Sequence, residues 1–219
     1  MPLQLYLDVP LTSFPRSYAR DYKETYRFPP PSTVYGCLLS LVGEVNLERH
    51  CGVRLAIGLL GEDPVVSRIL RKQRQHKFWG LGTYPAAKHN KPNFQEVVSG
   101  LELVVAVDSS QETESPSLSD RLQSALSNPA AITRFGGLSL GESWALVNGV
   151  RPWREQDGAP RWLCCDSRGL IALPVWIDRK TSQGTFGRYR LDSDWSDQCW
   201  TVIPAMTPAK AKTKKGLKQ

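Results

Sequence analysis

Residues 30 to 44, Pro-Pro-Ser-Thr-Val-Tyr-Gly-Cys-Leu-Leu-Ser-Leu-Val-Gly-Glu, constrain the fold more than any other stretch of this chain. Pro29, Pro30 and Pro31 hold the approach extended, and Ser32 offers a hydroxyl to the first free amides of a helix. Val34, Leu38, Leu41 and Val42 recur at helical spacing, so this helix, expected over 32–44, buries one face. Its start, with open amides and the positive end of the backbone dipole, suits a phosphate. The same residues also fit an ordinary capped helix.

The segments around it order the rest. Leu3 to Val9 reads as a strand before the helix, and Val53 to Leu60 as an apolar strand after it. Leu101 to Asp108 alternates as a third strand, Ser117 to Leu126 has helical spacing, and Trp144 to Val150 reads as a fourth strand. The order β-α-β-β-α-β is that of an α+β, ferredoxin-like domain. Val66 to Lys77 and Phe94 to Val98 are then the two sides of a β-hairpin arm, inserted over about 65–98. After Arg151 come short strands at 162–165, 170–177, 185–191 and 198–203, a small β-rich lobe. The expected division is 1–150 for the main domain, 151–206 for the lobe and 207–219 for a lysine-rich tail that cannot build a core. Six tryptophans, Trp144, Trp153, Trp162, Trp176, Trp195 and Trp200, are expected to anchor the cores.

Charge is segregated along the chain. Of the net +7, five units sit on lysines in the last ten residues. From Val65 to Gln95 there are Arg68, Arg71, Lys72, Arg74, Lys77, Lys88 and Lys91 and no acid; from Glu102 to Asp120 there are five acids and no base. Basic side chains interleaved with His76, Phe78, Trp79 and Tyr84 are what single-stranded RNA binding requires, since cations neutralise phosphates and rings stack on bases. A solvated charged hairpin would look similar. A second feature is the glycine-rich turn Arg134-Phe135-Gly136-Gly137-Leu138-Ser139-Leu140-Gly141-Glu142-Ser143, where backbone can approach an anion. It matches neither a Walker loop nor a dinucleotide fingerprint, so no nucleotide cofactor or small-molecule substrate is expected.

Five cysteines without a C-x-x-C pair fit reduced thiols in a cytoplasm, with Cys164 and Cys165 on opposite faces of a strand. Three histidines and scattered acids give no metal site, no apolar run is long enough to cross a membrane, and no signal peptide is expected. For catalysis, Lys88-His89 and Tyr35 are the candidates: a His or Tyr could deprotonate a ribose hydroxyl while a Lys steadies the phosphorane, as in a metal-independent ribonuclease. Simple contact with RNA is the alternative role for the pair. His50 is expected to be structural or exposed.

Three pieces in this order resemble a known family. They are the first strand leading into Pro-Ser-Thr-Val-Tyr-Gly, the stretch Pro92-Asn93-Phe94-Gln95-Glu96 with Ser99-Gly100-Leu101-Glu102-Leu103-Val104, and the glycine-rich turn at 134–143. Over roughly residues 3 to 150 the chain resembles the CRISPR-associated RAMP superfamily, and within it the Cas-five family, closest to the DevS-like branch of type I systems. The resemblance implies a modified RRM-like domain with a protruding thumb. It implies a subunit of Cascade, the RNA-guided surveillance complex, that caps the 5′ handle of the crRNA, abuts a backbone subunit and the large subunit, and meets target DNA through the complex. Ser32, Thr33 and Tyr35 would line the handle site, joined by Arg27. Arg68, Arg71, Lys72, Arg74, His76, Lys77, Trp79, Lys88 and Lys91 would bind RNA from the thumb, and Arg134, Gly136 and Gly137 would contact its backbone. One branch of the family cuts pre-crRNA, which keeps the ribonuclease alternative open.

Overall fold

A computed structural model describes residues 2–16, 22–74, 90–178, 181 and 183–204. Strand β1 (Leu3–Thr12) buries Leu5, Leu7 and Val9 completely, because period two sends alternate side chains to one face. Leu55, Ile57 and Leu59 of β3 (Arg54–Leu59) and Leu101, Leu103, Val105 and Val107 of β5 (Asn90–Asp108) do the same. Helices α1 (Pro31–Leu41) and α2 (Leu118–Ser127) cover that face with Val34, Leu38, Leu118, Leu122 and Ala125, in one continuous core. Strand β6 (Gly149–Pro152) pairs with the outer side of β1. The order β6-β1-β5-β3 is fourth, first, third, second strand of the expected β-α-β-β-α-β unit, which is the antiparallel ferredoxin-like sheet.

The inserted arm grows from β5. Its first half pairs antiparallel with β4 (Val65–Arg74), and its second half pairs with β1 and β3. The sequence suggested two strands here; one strand of 19 residues runs through Gly100, whose φ of +69° is open to glycine at little cost. Across from Gly100 the ladder skips Pro10, which has no N–H to give. A short β2 (Tyr22–Lys23) adds in parallel beside β5 at the base of the arm.

The C-terminal strands extend the same sheet. Strand β7 (Arg161–Cys165) pairs with β3, β9 (Gly184–Asp192) with β7, and β8 (Ile171–Ile177) with β9, while β10 (Thr201–Val202) pairs with the start of β3. Part of this extension covers the face away from the helices, where Ala56, Val104 and Ala106 lie with Trp162, Cys164 and Cys199 and with Trp153 and Trp200 beside them, while Leu173, Val175, Trp176 and Tyr189 join the helical-side core. Trp195 stands edge-on to Trp162 and Trp200, with ring centroids 4.5 and 5.2 Å away. Trp162 and Trp176 are buried core anchors as expected, Trp176 on the helical side; Trp153 and Trp200 are half-buried beside the sheet, Trp195 is 44% exposed, and Trp144 sits on the glycine-rich turn. The five cysteines are free, and Cys164 and Cys165 pack on opposite faces of β7.

Two local expectations are corrected. Ser32 does not cap α1: Pro30 is the N-cap residue, and the Ser32 hydroxyl donates to the Pro174 carbonyl of β8 at 3.0 Å, tying the helix to the C-terminal strands. The stretch 144–148 is not a strand of the sheet. It folds back on the glycine-rich turn, with Val147 N–H donating to Leu138 O at 2.9 Å and Leu140 N–H to Ala145 O at 3.1 Å, so the edge strand starts only at Gly149.

A buried network closes the far end of the helical layer. Arg121 Nη1 donates to His50 Nε2 at 2.7 Å, so the ring proton sits on Nδ1 and is donated to Glu112. His50 is fully buried and structural. Among the described residues no cluster could hold a metal ion, and no helix is long and apolar enough to cross a membrane.

Candidate nucleic-acid interface

The base of the arm and the glycine-rich turn come together in space. Gly141 carries the turn past β1 with φ +103°, and a Cβ there would meet Ser13 O at 2.4 Å and Thr12 Oγ1 at 2.6 Å. Only glycine permits that approach. Thr12 Oγ1 then donates to Leu140 O, and Leu140 is fully buried. This anchor delivers Glu142 to the arm. Its carboxylate accepts from Gln95 Nε2, from Trp144 Nε1 at 2.7 Å and from Lys23 Nζ at 3.2 Å, and Arg71 Nη1 lies 3.8 Å away. Arg71 also donates to Gln95 Oε1 at 2.5 Å. Burial works to raise the Glu142 pKa, but these donors outweigh it and hold the carboxyl below its ordinary range. One acid therefore organises Lys23, Gln95, Arg71 and Trp144 from three segments and the turn itself.

The opposite face of the arm combines rings, apolar side chains and a cation. Register puts Arg68 opposite Glu96, Leu70 opposite Phe94, and Tyr22 beside Phe94. The Arg68 guanidinium lies 5.0 Å from the Tyr22 ring centroid, and its Nε donates to the Tyr22 hydroxyl at 3.0 Å. That hydroxyl donates to Glu96 at 2.5 Å, a bond that raises the Tyr22 pKa. Leu70 and Phe94 are 56% and 49% exposed, enough ring and alkyl surface to meet a base. Lys72, Arg74 and Lys91 are located by backbone register alone, opposite Pro92, Asn90 and Gln73. His76, Lys77, Trp79, Lys88 and His89 lie outside the described residues.

The tip of the glycine-rich turn is open. Arg134, Phe135, Gly136 and Gly137 are all exposed, and among the described residues no backbone N–H from 134 to 137 finds an intramolecular acceptor. Gly136 has φ +79° with open space where a side chain would point. Consecutive unpaired amides beside Arg134 suit an anion.

The helix α1 part of the expected site does not join this surface. Pro29, Pro30 and Pro31 are buried, Pro31 has no N–H, and Thr33 and Val34 N–H both donate to Pro30 O at 2.9 and 3.0 Å. Ser32 and Thr33 are half-buried, and Ser32 is tied to β8. Tyr35 is 1% exposed, packs 6.2 Å from the Trp176 ring and donates to Leu47 O at 2.9 Å. It is a core residue, because the helix turns it inward with Leu38 and Leu39. Arg27 is exposed but paired with Asp63 at 3.1 Å.

Sequence reasoning passed over Lys23, Gln95, Glu142 and Phe135. The first three carry no local signal, since their partners come from distant segments; Phe135 stood in plain view, between an arginine and two glycines.

No family model matches the chain. A curated protein described as "CRISPR-associated protein Cas5", from Myxococcus xanthus (strain DK1622), is 40% identical over 190 residues, covering 84% of this chain and 86% of that protein. Among solved structures, a chain of a "CRISPR RNA-guided surveillance complex" superposes with a TM-score of 0.61 at 16% identity, covering 94% of this chain and 92% of the other. A "Crystal structure of Cas protein" superposes with a TM-score of 0.51 at 14% identity over 94% and 96%. The two structures share the fold, and the sequence match carries the kinship: the chain belongs to the Cas5 family of CRISPR-associated proteins.

Proposed function

We propose that this chain is an RNA-binding structural subunit of a type I CRISPR surveillance complex, in which it holds the 5′ handle of the crRNA. The observation that carries the reading is the Glu142 junction, which fixes the C-terminal end of the glycine-rich turn against the basic arm. RNA would pass the turn, with Arg71 meeting a phosphate and the amides of 134–137 meeting the backbone, and cross the edge of the arm to the rings of Tyr22 and Phe94 on its other face, Lys72 meeting a further phosphate. A backbone subunit and the large subunit are the expected neighbours, and target DNA is met through the assembled complex. The kinship to Cas5 and the fold shared with a surveillance-complex chain support this role.

A ribonuclease would need other residues than Tyr35, whose hydroxyl is buried and bonded to a carbonyl. Lys88 and His89 are the candidates that remain for it. One gel tests the proposal: protein with labelled repeat RNA, with and without EDTA, beside crRNA with an intact 5′ handle. Binding without cutting is expected. A discrete cut surviving EDTA would overturn the structural reading.

A further inference from the structure

Between the C-terminal ends of α1 and α2 and the glycine-rich turn lies a groove of about 290 Å³. Leu41, Ala125, Ile132, Leu138, Val147 and Val150 line it with apolar side chains, and about as much of its surface is polar, with Asn148 and Gly149 among the lining residues. Arg134 is its one charged lining residue among the described residues, and no acid lines it. The next residue, Phe135, exposes its whole ring to solvent, 105% of the reference area. It forgoes the gain that burial would bring to a phenyl ring.

This combination selects a ligand. A recess of mixed apolar and polar surface, with a cation in its lining and no acid, suits a molecule with a flat face, polar edges and an anionic part close by. The volume is at the small end of organic-ligand pockets, roughly 300 Å³, which admits one base with its ribose and no helix or strand. Unstacked bases of single-stranded RNA are held in this way, in such recesses and on aromatic faces.

We propose that this groove receives one splayed base of the bound RNA, that Arg134 meets the adjoining phosphate, and that Phe135 stacks on the neighbouring base. The proposal rests on the RNA-binding reading above. It adds a base-reading subsite on the helical side of the turn, where that reading has only backbone contacts.

The test uses the full-length protein and repeat-derived 5′-handle RNAs, each carrying one abasic position, with affinity read by fluorescence anisotropy. The wild type should lose about tenfold at each of two adjacent abasic positions and little elsewhere. Phe135→Ala should lose about tenfold on intact RNA and nothing more on the RNA lacking its base. Val147→Trp, which fills the groove, should erase the sensitivity at the other position, its fold checked by thermal melting. Arg134→Ala should lower the salt slope by about 0.7. Because Phe135 is solvent-exposed, Phe135→Ala will fold even if Val147→Trp does not. Wild-type affinity that ignores every abasic position, or a Phe135→Ala loss equal on all RNAs, overturns the subsite. Normal RNA binding by Phe135→Ala with failure to join the neighbouring subunits makes the groove a protein seat and overturns it too. A wild type that binds handle RNA no better than scrambled RNA overturns the RNA-binding reading itself, and the subsite with it.

Discussion

Gln95, in the middle of β5, donates its side-chain amide to the carboxylate of Glu142 at the end of the glycine-rich turn. Gln95 is 1% exposed, so its amide must be satisfied within the protein. It is: Glu142 accepts from its nitrogen and Arg71 donates to its oxygen. A buried amide thereby couples the position of the turn to the position of an arm arginine.

Glu142→Gln should separate two effects. Lys23 and Arg71 lose their counter-charge, so the salt slope of RNA binding should steepen by about one unit. Trp144 and Gln95 lose a charged acceptor, and stability should fall by about 1 kcal/mol in urea unfolding. Scrambled RNA should gain more affinity than handle RNA, because charge is released while geometry is loosened. An unchanged slope would mean that Lys23 and Arg71 stay away from phosphate.

Arg71, Lys72 and Arg74 occupy one strand of the arm. If each neutralises one phosphate of a single strand, replacing all three by alanine should flatten log Kd against log salt by about two units. Arg68→Ala alone should act differently, since its guanidinium is spent on Tyr22. A smaller salt effect and a loss dependent on a neighbouring base are expected there. A triple variant with the wild-type slope would remove the arm from the interface.

The core was legible because its signals are local. Alternation in β1 and β3 and the spacing of Val34 and Leu38 give elements and faces directly, and six elements in sequence give the ferredoxin-like order. The site was half legible. The acid-free run and the glycines mark the two parts of the proposed RNA site, but Glu142 is one acid among many until Lys23, Arg71 and Gln95 arrive from elsewhere. Ser32 and Tyr35 misled for the same reason. A serine after prolines looks like a cap, and nothing near it in sequence reveals that Pro174 offers its carbonyl across the sheet.

Glu44 should govern part of the acid response. It accepts the N–H groups of Val45 and Asn46 at 3.0 and 2.9 Å, and Arg49 and Arg121 donate to it at 3.0 and 2.7 Å. Burial opposes its charge, yet the donors prevail and hold the carboxyl at about 2. Unfolded, a glutamate titrates near about 4.3. The folded pKa is depressed, so this stability is present above about pH 4.3 and is lost as pH falls through about 2, a change on the order of 3 kcal/mol. Glu44→Gln should be less stable than wild type at neutral pH and flatter through that window, by urea unfolding at several pH values. Parallel curves for the two proteins would assign the acid loss to other carboxylates.

Tyr35 gives the sharpest test between a structural residue and a catalyst. Burial raises its pKa above the ordinary tyrosine value, so the phenol keeps its proton throughout the physiological range. A group so placed can neither take a proton from a ribose hydroxyl nor reach one. Tyr35→Phe leaves the Leu47 carbonyl with only the weak Cys51 thiol donor at 3.9 Å and should cost about 1 kcal/mol of stability. Handle affinity should stay within twofold of wild type, because the helix and its packing are kept. Any cleavage of repeat RNA in EDTA should be equally untouched by Tyr35→Phe and abolished by His89→Ala if His89 is the base. Cleavage lost in a folded, RNA-binding Tyr35→Phe protein would require the α1 region to open during turnover and would restore Tyr35 to the reaction.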